Sequence, residues 1–305
     1  MFTNKTIKLS EIQKEIEFNL INDGEIAFAG KIGNKNPYLS NMLVYALNQR
    51  FVHKASRNSK ISAIIISDSS LKNKVIDEGK GLILSEDPKS MLKQIQTFLV
   101  SKKNFQWKDF KTKISHSANI NAKAVIADKN VIIGDGSSIG PYCVVNERSI
   151  IGKNCNINES VVIGSEAFEL TGLKSNRSIM PQSGGVLIGN NVTIQALSTV
   201  VRSTFGGFTS LKDNVKVDSH VHIAHDAQVE KNTSIAASTF IAGNVTIGEN
   251  VFIGPNSTIS NGINIANEAW VTIGSNVIES IEEGKRVTGN FAIDHNQFLK
   301  KFKKN

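Results

Sequence analysis

The sequence is poor in the features that mark several large classes of protein. It has only two cysteines, Cys143 and Cys155, and five prolines among 305 residues. Two cysteines are too few for a disulfide framework or a zinc ribbon, and so little proline excludes a collagen-like or linker protein. No apolar run approaches the roughly 18 residues of a membrane span, and the N-terminal segment MFTNKTIKLSEIQKE lacks the apolar core of a signal peptide. We therefore expect a cytoplasmic protein that is not transmembrane.

Basic residues outnumber acidic ones. The formal net charge is +8, and lysine is densest in the final segment KKFKKN (300–305). This pattern fits a solvated surface with a basic end, or attraction to an acidic carrier protein, nucleotide phosphates or an anionic membrane face. The sequence has no recognisable nucleic-acid-binding motif, so we expect no nucleic-acid partner.

The first part of the chain, residues 1–110, has the pattern of a small mixed α/β domain. The β-branched run ISAIIIS (61–67) predicts a buried strand. Asp87 is predicted to be the N-cap of a helix, and the proline that follows it is predicted to be the first helical residue. Ser10 and Gln13 predict a capping box at the start of another helix, which the apolar spacing continues to residue 20.

After residue 110 the apolar residues recur every six positions. The longest unbroken series is Leu211, Val217, Ile223, Val229, Ile235, Ile241, Ile247, Ile253, Ile259, Ile265 and Val271. A six-residue period fits neither an α-helix nor a hairpin meander, and it is typical of a parallel β-helix in which three hexapeptides close one coil. We predict a mainly β protein with this β-helix over residues 111–280 and a short helical tail over 281–305.

A second set of residues in each hexapeptide is predicted to face inward. These residues lie four positions after the apolar ones and are small or β-branched, and Cys143 and Cys155 are among them. We therefore expect both cysteines to be small buried thiols. Glycine or alanine often follows the apolar residue, which predicts that the chain turns a corner there.

The stretch VHIAHDAQVEKNTSIAASTFIAGN (221–244) carries the candidate chemistry. Residues 18 apart stack on neighbouring coils, about 4.8 Å apart along the axis, so Gly243 should lie directly over His225. An imidazole can take a proton from a nucleophile. A glycine lets a substrate approach the backbone, and its N–H can stabilise an oxyanion. This pair favours an acyl-transfer site.

Two other interpretations of these histidines remain open. A histidine on a β-helix surface can simply be solvated. Alternatively, His220, His222 and His225 could hold zinc, as three histidines do in the hexapeptide solenoids of γ-class carbonic anhydrases. Because His220 and His222 point the same way along a strand while His225 follows a corner, and no histidine lies one coil later, we predict no metal site.

The motifs HIAHD (222–226) and IAGN (241–244) resemble those of the hexapeptide acyltransferases of lipid A synthesis, whose β-helix is left-handed. The chain is most similar to the UDP-3-O-(3-hydroxyacyl)glucosamine N-acyltransferases, the LpxD family, over nearly its whole length. VVIGSEAFEL (161–170) resembles that family's GADGFGY segment, VDSHVHIAHDAQV (217–229) its IDNxxQIAHNVxI stretch, and INDGEIAFAGKI (21–32) its GDGDIxIxGVA opening.

The resemblance implies roles at the acyl-transfer site. His225 would be the general base that deprotonates a sugar amine, and the Gly243 amide would bind the tetrahedral oxyanion. Asp226 or another polar neighbour would orient the base. Phe168, in the GADGFGY-like segment, and His222, in the HIAHD motif, are the further expected substrate-binding residues.

The resemblance also implies a uridine site in the N-terminal domain. YALNQRF (45–51) falls where the family has FxxNPKY. Tyr45 and Phe51 would sandwich the uracil, Asn48 would hydrogen-bond it, and Arg50 would stand in for the family's lysine near phosphate. The alternative is an ordinary aromatic helix face.

The sequence also departs from the family pattern. The family's second histidine, 37 residues after the base, is replaced by Gly262. The usual asparagine after the base is Asp226, as in the sister O-acyltransferases. The C-terminal helical extension that contacts acyl carrier protein is reduced to a short amphipathic end with Phe298, Leu299 and Phe302.

Together these features predict an N-acyltransferase of lipid A or surface glycan synthesis. It would move an acyl group from a thioester, carried by acyl carrier protein or CoA, to the amine of a UDP-linked amino sugar. The resemblance implies a homotrimer, and the chemistry needs no cofactor. One alternative is an acetyl-CoA-dependent nucleotide-sugar N-acetyltransferase for O-antigen or glycan assembly. Another is a solenoid that binds a sugar nucleotide without catalysis.

Overall fold

The computed structural model describes residues 2–3, 5–171, 177–289, 292 and 294–302. The N-terminal domain contains a five-stranded sheet with the strand order Asn19–Asn22, Gly81–Leu84, Ile61–Ile66, Met42–Ala46 and Phe28–Ala29. The first two strands pair antiparallel and the others parallel. A small antiparallel pair is formed by Ile7–Lys8 and Glu25–Ile26. The helices are Leu9–Ile12, Gln49–Ser56, the 3₁₀ turn Ser69–Leu71, Lys72–Ile76 and Pro88–Ser101.

The Ile61–Ile66 strand shows why this sheet is stable. From Ala63 to Ile66 its side chains alternate between two separate apolar clusters, with Ala63 and Ile65 in one and Ile64 and Ile66 in the other. Ile61, before an irregularity in the strand pairing, belongs to the second cluster. A strand of a parallel sheet with both faces covered is apolar on both faces, which explains the continuous apolar run in the sequence.

The two predicted helix starts have different outcomes. The Asp87 side chain accepts a hydrogen bond from the Ser90 N–H at 3.0 Å, so the predicted N-cap is confirmed. The predicted capping box is wrong, because the helix that contains Ser10 ends at Ile12. The Ser10 hydroxyl donates instead to Asp23 at 2.7 Å.

The β-helix consists of three parallel sheets, which confirms the predicted fold class. The first contains Val125–Ile126, Val144–Val145, Val162–Ser165, Thr199–Val201, His222–Ile223, Phe240–Ile241, Thr258–Ile259 and Asn276–Val277. The second contains Lys113–Ile114, Val131–Ile133, Ser149–Ile151, Gly185–Ile188, Phe208–Leu211, Gln228–Val229, Thr246–Ile247 and Asn264–Ile265. The third contains Asn119–Ile120, Ser138–Ile139, Asn156–Ile157, Thr193–Ile194, Lys216–Val217, Ser234–Ile235, Phe252–Ile253, Trp270–Val271 and Arg286–Val287.

The ends of the β-helix lie near the predicted domain boundaries. Its last strand, Arg286–Val287, lies beyond the boundary predicted at residue 280, and the tail contains the helix His295–Phe302. The side chains of Phe298 and Phe302, and the final residues 303–305, lie outside the described part of the chain. No helix among the described residues is long and apolar enough to cross a membrane.

The interior of the β-helix follows the six-residue period. The inward apolar residues form one continuous cluster, and Cys143 and Cys155 are buried within it as free thiols. Burial raises the pKa of both cysteines, so the thiols are held in their neutral form.

The corners of the coils differ from the prediction. The backbone is left-handed three residues after the inward apolar residue, most often at an asparagine, rather than at the glycine or alanine that follows it directly. Asparagine tolerates this conformation better than most residues. The glycines serve close stacking instead, because a Cβ on Gly254 would lie 2.7 Å from the backbone nitrogen of Ile273 on the next coil.

Two irregular segments join the β-helix to the N-terminal domain. One contains the hairpin Leu170–Thr171 with Ser178–Ile179, and its connecting residues 172–176 lie outside the described chain. The other, residues 202–207, lies between the strands Thr199–Val201 and Phe208–Leu211. Met180 and Phe205 from these segments are part of an apolar cluster of the N-terminal domain. The Asn36 side chain also donates to the Phe208 carbonyl at 3.1 Å.

Candidate active site

His225 lies at a corner of the β-helix, just after the strand His222–Ile223. This strand pairs with Phe240–Ile241, 18 residues later. A Cβ built on Gly243 would lie 2.6 Å from both Cε1 and Nε2 of His225, so the imidazole lies directly against this glycine. The structure therefore brings together the two residues that the 18-residue spacing predicts.

The backbone around Gly243 leaves one donor available. The N–H of Asn244 donates to the His225 carbonyl at 3.0 Å, which ties the two coils together. Within the described parts of the chain, the Gly243 N–H itself has no acceptor. A free amide beside an imidazole is the arrangement that stabilises an oxyanion during acyl transfer.

Asp226 orients the His225 ring. Its Oδ2 lies 2.9 Å from His225 Nδ1, and its carboxylate also accepts hydrogen bonds from the Ser203 hydroxyl and the Thr204 N–H. A proton on Nδ1 that donates to this carboxylate leaves the Nε2 lone pair available as a base.

The charge of Asp226 results from two opposing effects. The residue is only 4% exposed, and burial raises the pKa of its carboxyl. The hydrogen bond and charge of His225, with the donors Ser203 and Thr204, outweigh burial and hold the pKa of Asp226 below its ordinary value. Asp226 is therefore an anion in the folded protein, and it is bonded to the His225 ring.

A carboxylate that sequence reasoning missed lies on the opposite side of the ring. Glu169 Oε2 lies 3.7 Å from His225 Nε2, and each of the two side chains is 13% exposed. The same oxygen lies 2.6 Å from Lys31 Nζ of the N-terminal domain. Glu169 belongs to the GADGFGY-like segment, but no periodicity relates this irregular segment to His225, so only its acidic character was visible in the sequence.

The N-terminal domain forms a cavity that includes the two aromatic residues of the predicted uridine site. It has a volume of about 240 Å³ and is lined by Lys31, Ile32, Tyr45, Leu47 and Phe51. Burial raises the pKa of Tyr45, and the Glu169 charge adds to this effect while Lys31 opposes it. The cavity therefore lies close to the Lys31–Glu169 pair and, through it, to His225.

Two predicted residues of the uridine site have other positions. The Asn48 side chain accepts the Phe51 N–H at 3.0 Å as the N-cap of the helix Gln49–Ser56. Arg50 lines a separate cavity with Lys74 and is not among the residues that line the Tyr45–Phe51 cavity. The helix places consecutive residues on different faces, and the cation that lines the aromatic cavity is Lys31.

The remaining predicted residues lie at the surface around His225. His222 stacks on Phe240 with ring centroids 5.0 Å apart, and burial, followed by the His225 charge, lowers its pKa. Phe168 is 80% exposed, so most of its ring faces solvent. His220 is an exposed corner residue. Among the described residues, no group of three or more His, Cys, Asp or Glu side chains is placed to hold a metal ion.

Comparison with known proteins relates parts of the chain to acyltransferases with hexapeptide repeats. The family model described as bacterial transferase hexapeptide (six repeats) matches residues 130–165 and 230–261. Both matched segments lie in the β-helix, so this part of the chain carries hexapeptide repeats of that kind. A UDP-3-O-acylglucosamine N-acyltransferase of Caulobacter vibrioides is 44% identical over 50 residues, which are 16% of this chain and 14% of that enzyme. This short match supports the LpxD-like resemblance, and it spans only a small part of the relative's length.

Solved structures show the same fold over a larger part of this chain. The UDP-N-acetylglucosamine acyltransferase from Campylobacter jejuni is 21% identical with a TM-score of 0.50, and the similarity covers 64% of this chain and 82% of that one. The UDP-N-acetylglucosamine acyltransferase of Francisella novicida is also 21% identical with a TM-score of 0.50. This similarity covers 62% of this chain and 71% of the Francisella chain. At this identity the likeness shows the shared left-handed β-helix.

Proposed function

We propose that this protein is an N-acyltransferase that moves an acyl group from a thioester to the amine of a UDP-linked amino sugar. The observation that carries the proposal is the His225 imidazole held against Gly243, with Asp226 bonded to the opposite ring nitrogen. Among the residues that the structure describes, the Gly243 N–H has no acceptor. The matched segment of the Caulobacter enzyme, an N-acyltransferase by name, supports the same reaction class.

The proposed reaction is an addition followed by an elimination. The amine nitrogen attacks the thioester carbonyl carbon to form a tetrahedral intermediate, and the C–S bond breaks when this intermediate collapses. His225 Nε2 takes a proton from the attacking amine and returns it to the departing thiolate. Gly243 N–H binds the negative charge that develops on the carbonyl oxygen, and Asp226 stabilises the imidazolium. This chemistry uses no metal or organic cofactor.

The Tyr45–Phe51 cavity is the proposed uridine site. Its volume of about 240 Å³ and two aromatic walls suit a flat base, and Lys31 supplies a cation for the diphosphate. Lys31 also contacts Glu169, which faces His225. A nucleotide sugar bound in this cavity would therefore extend its sugar toward the base.

The donor, the assembly and the pathway are further parts of the proposal. The donor is an acyl group on acyl carrier protein or CoA, and the product serves lipid A or surface glycan synthesis in the cytoplasm. We propose a homotrimer, because exposed apolar side chains along the β-helix, such as Phe240, Trp270 and Ile278, would be covered between chains.

The test combines a donor assay with the His225→Ala variant. Purified protein is incubated with UDP-glucosamine and its 3-O-acylated form, with either hydroxyacyl carrier protein or acetyl-CoA, and products are detected by mass spectrometry. We expect N-acylation by the wild-type protein, and a loss of at least about 1,000-fold for His225→Ala with nucleotide-sugar binding retained. Product from acetyl-CoA alone would favour the N-acetyltransferase, and binding without any product would favour a non-catalytic solenoid.

A further inference from the structure

Glu169 has no role in the mechanism described above, yet it faces the nitrogen that must act as the base. The gap between its Oε2 and His225 Nε2 is 3.7 Å, too long for a direct hydrogen bond. A nitrogen atom can lie about 2.9 Å from both atoms, because their separation is less than twice that distance. An acceptor amine at the base would therefore also reach this carboxylate.

The chemistry of a carboxylate distinguishes amines from hydroxyls. A sugar amine arrives partly as an ammonium ion, which forms a charge-assisted hydrogen bond with a carboxylate. A hydroxyl or an amide carries no such charge. Because Glu169 is largely buried, with 13% of its side chain exposed, water screens its attraction for a cation only weakly.

Lys31 determines where this carboxylate lies. Its Nζ is 2.6 Å from Glu169 Oε2, and the same side chain lines the Tyr45–Phe51 cavity. Glu169 is on the β-helix side and Lys31 is on the N-terminal domain, so the carboxylate faces His225 in this way only when the two domains are docked.

We infer that Glu169 is a specificity-determining residue that binds the ammonium group of the acceptor and presents its nitrogen to His225. This inference rests on the proposed function and names the acceptor class of that site as a primary amine. The ammonium loses two protons during transfer. One leaves through Glu169 to solvent, and the other passes through His225 to the thiolate.

The test measures binding and compares two substitutions in the same segment. Calorimetry gives the affinity of UDP-glucosamine, which has a free amine, and of UDP-N-acetylglucosamine, whose nitrogen is blocked. Glu169→Gln removes the charge beside His225. Glu166→Gln removes the exposed carboxylate three residues earlier and is the matched control. Thermal unfolding midpoints establish that both variants are folded.

We expect the wild-type protein and Glu166→Gln to prefer the free amine. Glu169→Gln should bind UDP-glucosamine about 10-fold or more weakly, while its affinity for UDP-N-acetylglucosamine stays unchanged. The KM of this variant for the amine acceptor should also rise. An unchanged amine preference in Glu169→Gln would overturn the inference and leave the proposed function intact. Failure of the wild-type protein to bind either nucleotide sugar would overturn both.

Discussion

At the scale of single residues, the contact between His225 and Gly243 leaves no room for a methyl group. A Cβ at position 243 would lie 2.6 Å from two ring atoms, so Gly243→Ala must displace the imidazole. A displacement of about 1 Å can cost about 100-fold in rate. We expect kcat to fall by about this factor while the affinity for the nucleotide sugar stays unchanged, as measured by steady-state kinetics and calorimetry.

Gly262 offers a control for this substitution. It has a left-handed φ of 72°, and a Cβ added at this position would have no other atom within 4 Å. Asparagine occupies the equivalent corner at Asn244 and Asn250. Gly262→Asn should therefore leave both activity and stability nearly unchanged. Wild-type kcat in Gly243→Ala would show that the position of the ring does not limit the reaction.

The buried Asp226 carboxylate predicts a specific dependence of stability on pH. Its pKa is lowered in the folded protein below the ordinary value of 3.8, so the unfolded state binds the proton more tightly. The stability that the ionised Asp226 contributes to the folded protein is fully present above pH 3.8. It is lost as the pH falls through the lower pKa of the folded state. We expect the stability advantage of the wild-type protein over Asp226→Asn to shrink below about pH 4.

Thermal unfolding between pH 2.5 and 7 measures this difference. Asp218→Asn, at an exposed aspartate on the preceding coil turn, controls for the general effect of removing a carboxylate. A stability difference between the wild-type protein and Asp226→Asn that stays constant across the whole pH range would contradict the assignment of a stabilising anion at position 226.

Only part of the site could be predicted at this scale. His225 and Gly243 come together because both lie on regular coils, where a separation of 18 residues means a stacked pair. Glu169 and Lys31 reach the same place from an irregular segment and from the other domain. No repeat relates those positions, so their contact depends on domain docking and could not be inferred from spacing.

At the scale of elements, the corner asparagines predict a measurable backbone effect. Asn232 has a left-handed φ of 61°, and its side chain bonds Asn214 and Asn250 on the neighbouring coils at 3.1 and 3.2 Å. Asn232→Ala and Asn232→Gly both remove these bonds, but only alanine adds a Cβ that opposes this conformation. The free energy of unfolding of Asn232→Ala should therefore be lower than that of Asn232→Gly by about 1 kcal/mol.

Chemical denaturation of the two variants measures this difference directly, because the lost side-chain bonds cancel between them. Equal unfolding midpoints for Asn232→Ala and Asn232→Gly would show that the corner does not depend on its left-handed backbone. The same pair of substitutions at Asn250, the next corner in the column, should reproduce the result.

The elements themselves were predicted to different degrees. The six-residue period located the coil strands because each inward side chain repeats the same contact on the next coil. The corners were predicted one residue after the inward apolar residue, whereas the left-handed residue lies three after it. The prediction failed because glycine is also needed where neighbouring coils stack closely. The N-terminal helix was predicted too long, because Asp23 holds Ser10 from outside the helix and the chain bends after Ile12.

At the scale of the whole molecule, the two domains are interlocked rather than linked end to end. Residues 202–207 leave the β-helix and insert Phe205 into the core of the N-terminal domain. The same segment carries Ser203, whose hydroxyl donates to Asp226. This segment therefore links the docking of the domains to the orientation of His225.

This arrangement predicts the effects of Phe205→Ala. Phe205 is 2% exposed, and truncation of a buried phenylalanine typically costs about 3–5 kcal/mol. We expect hydrogen exchange to increase most in the N-terminal strands, such as Ile61–Ile66, while the coil strands after residue 228 stay protected. Activity should also fall, because Ser203 and Lys31 would no longer hold Asp226 and Glu169 beside His225.

Phe168→Ala, at a phenylalanine that is 80% exposed in the other irregular segment, is the control and should leave hydrogen exchange unchanged. Uniform loss of protection throughout the β-helix in Phe205→Ala would instead mean that the two domains unfold as a single cooperative unit.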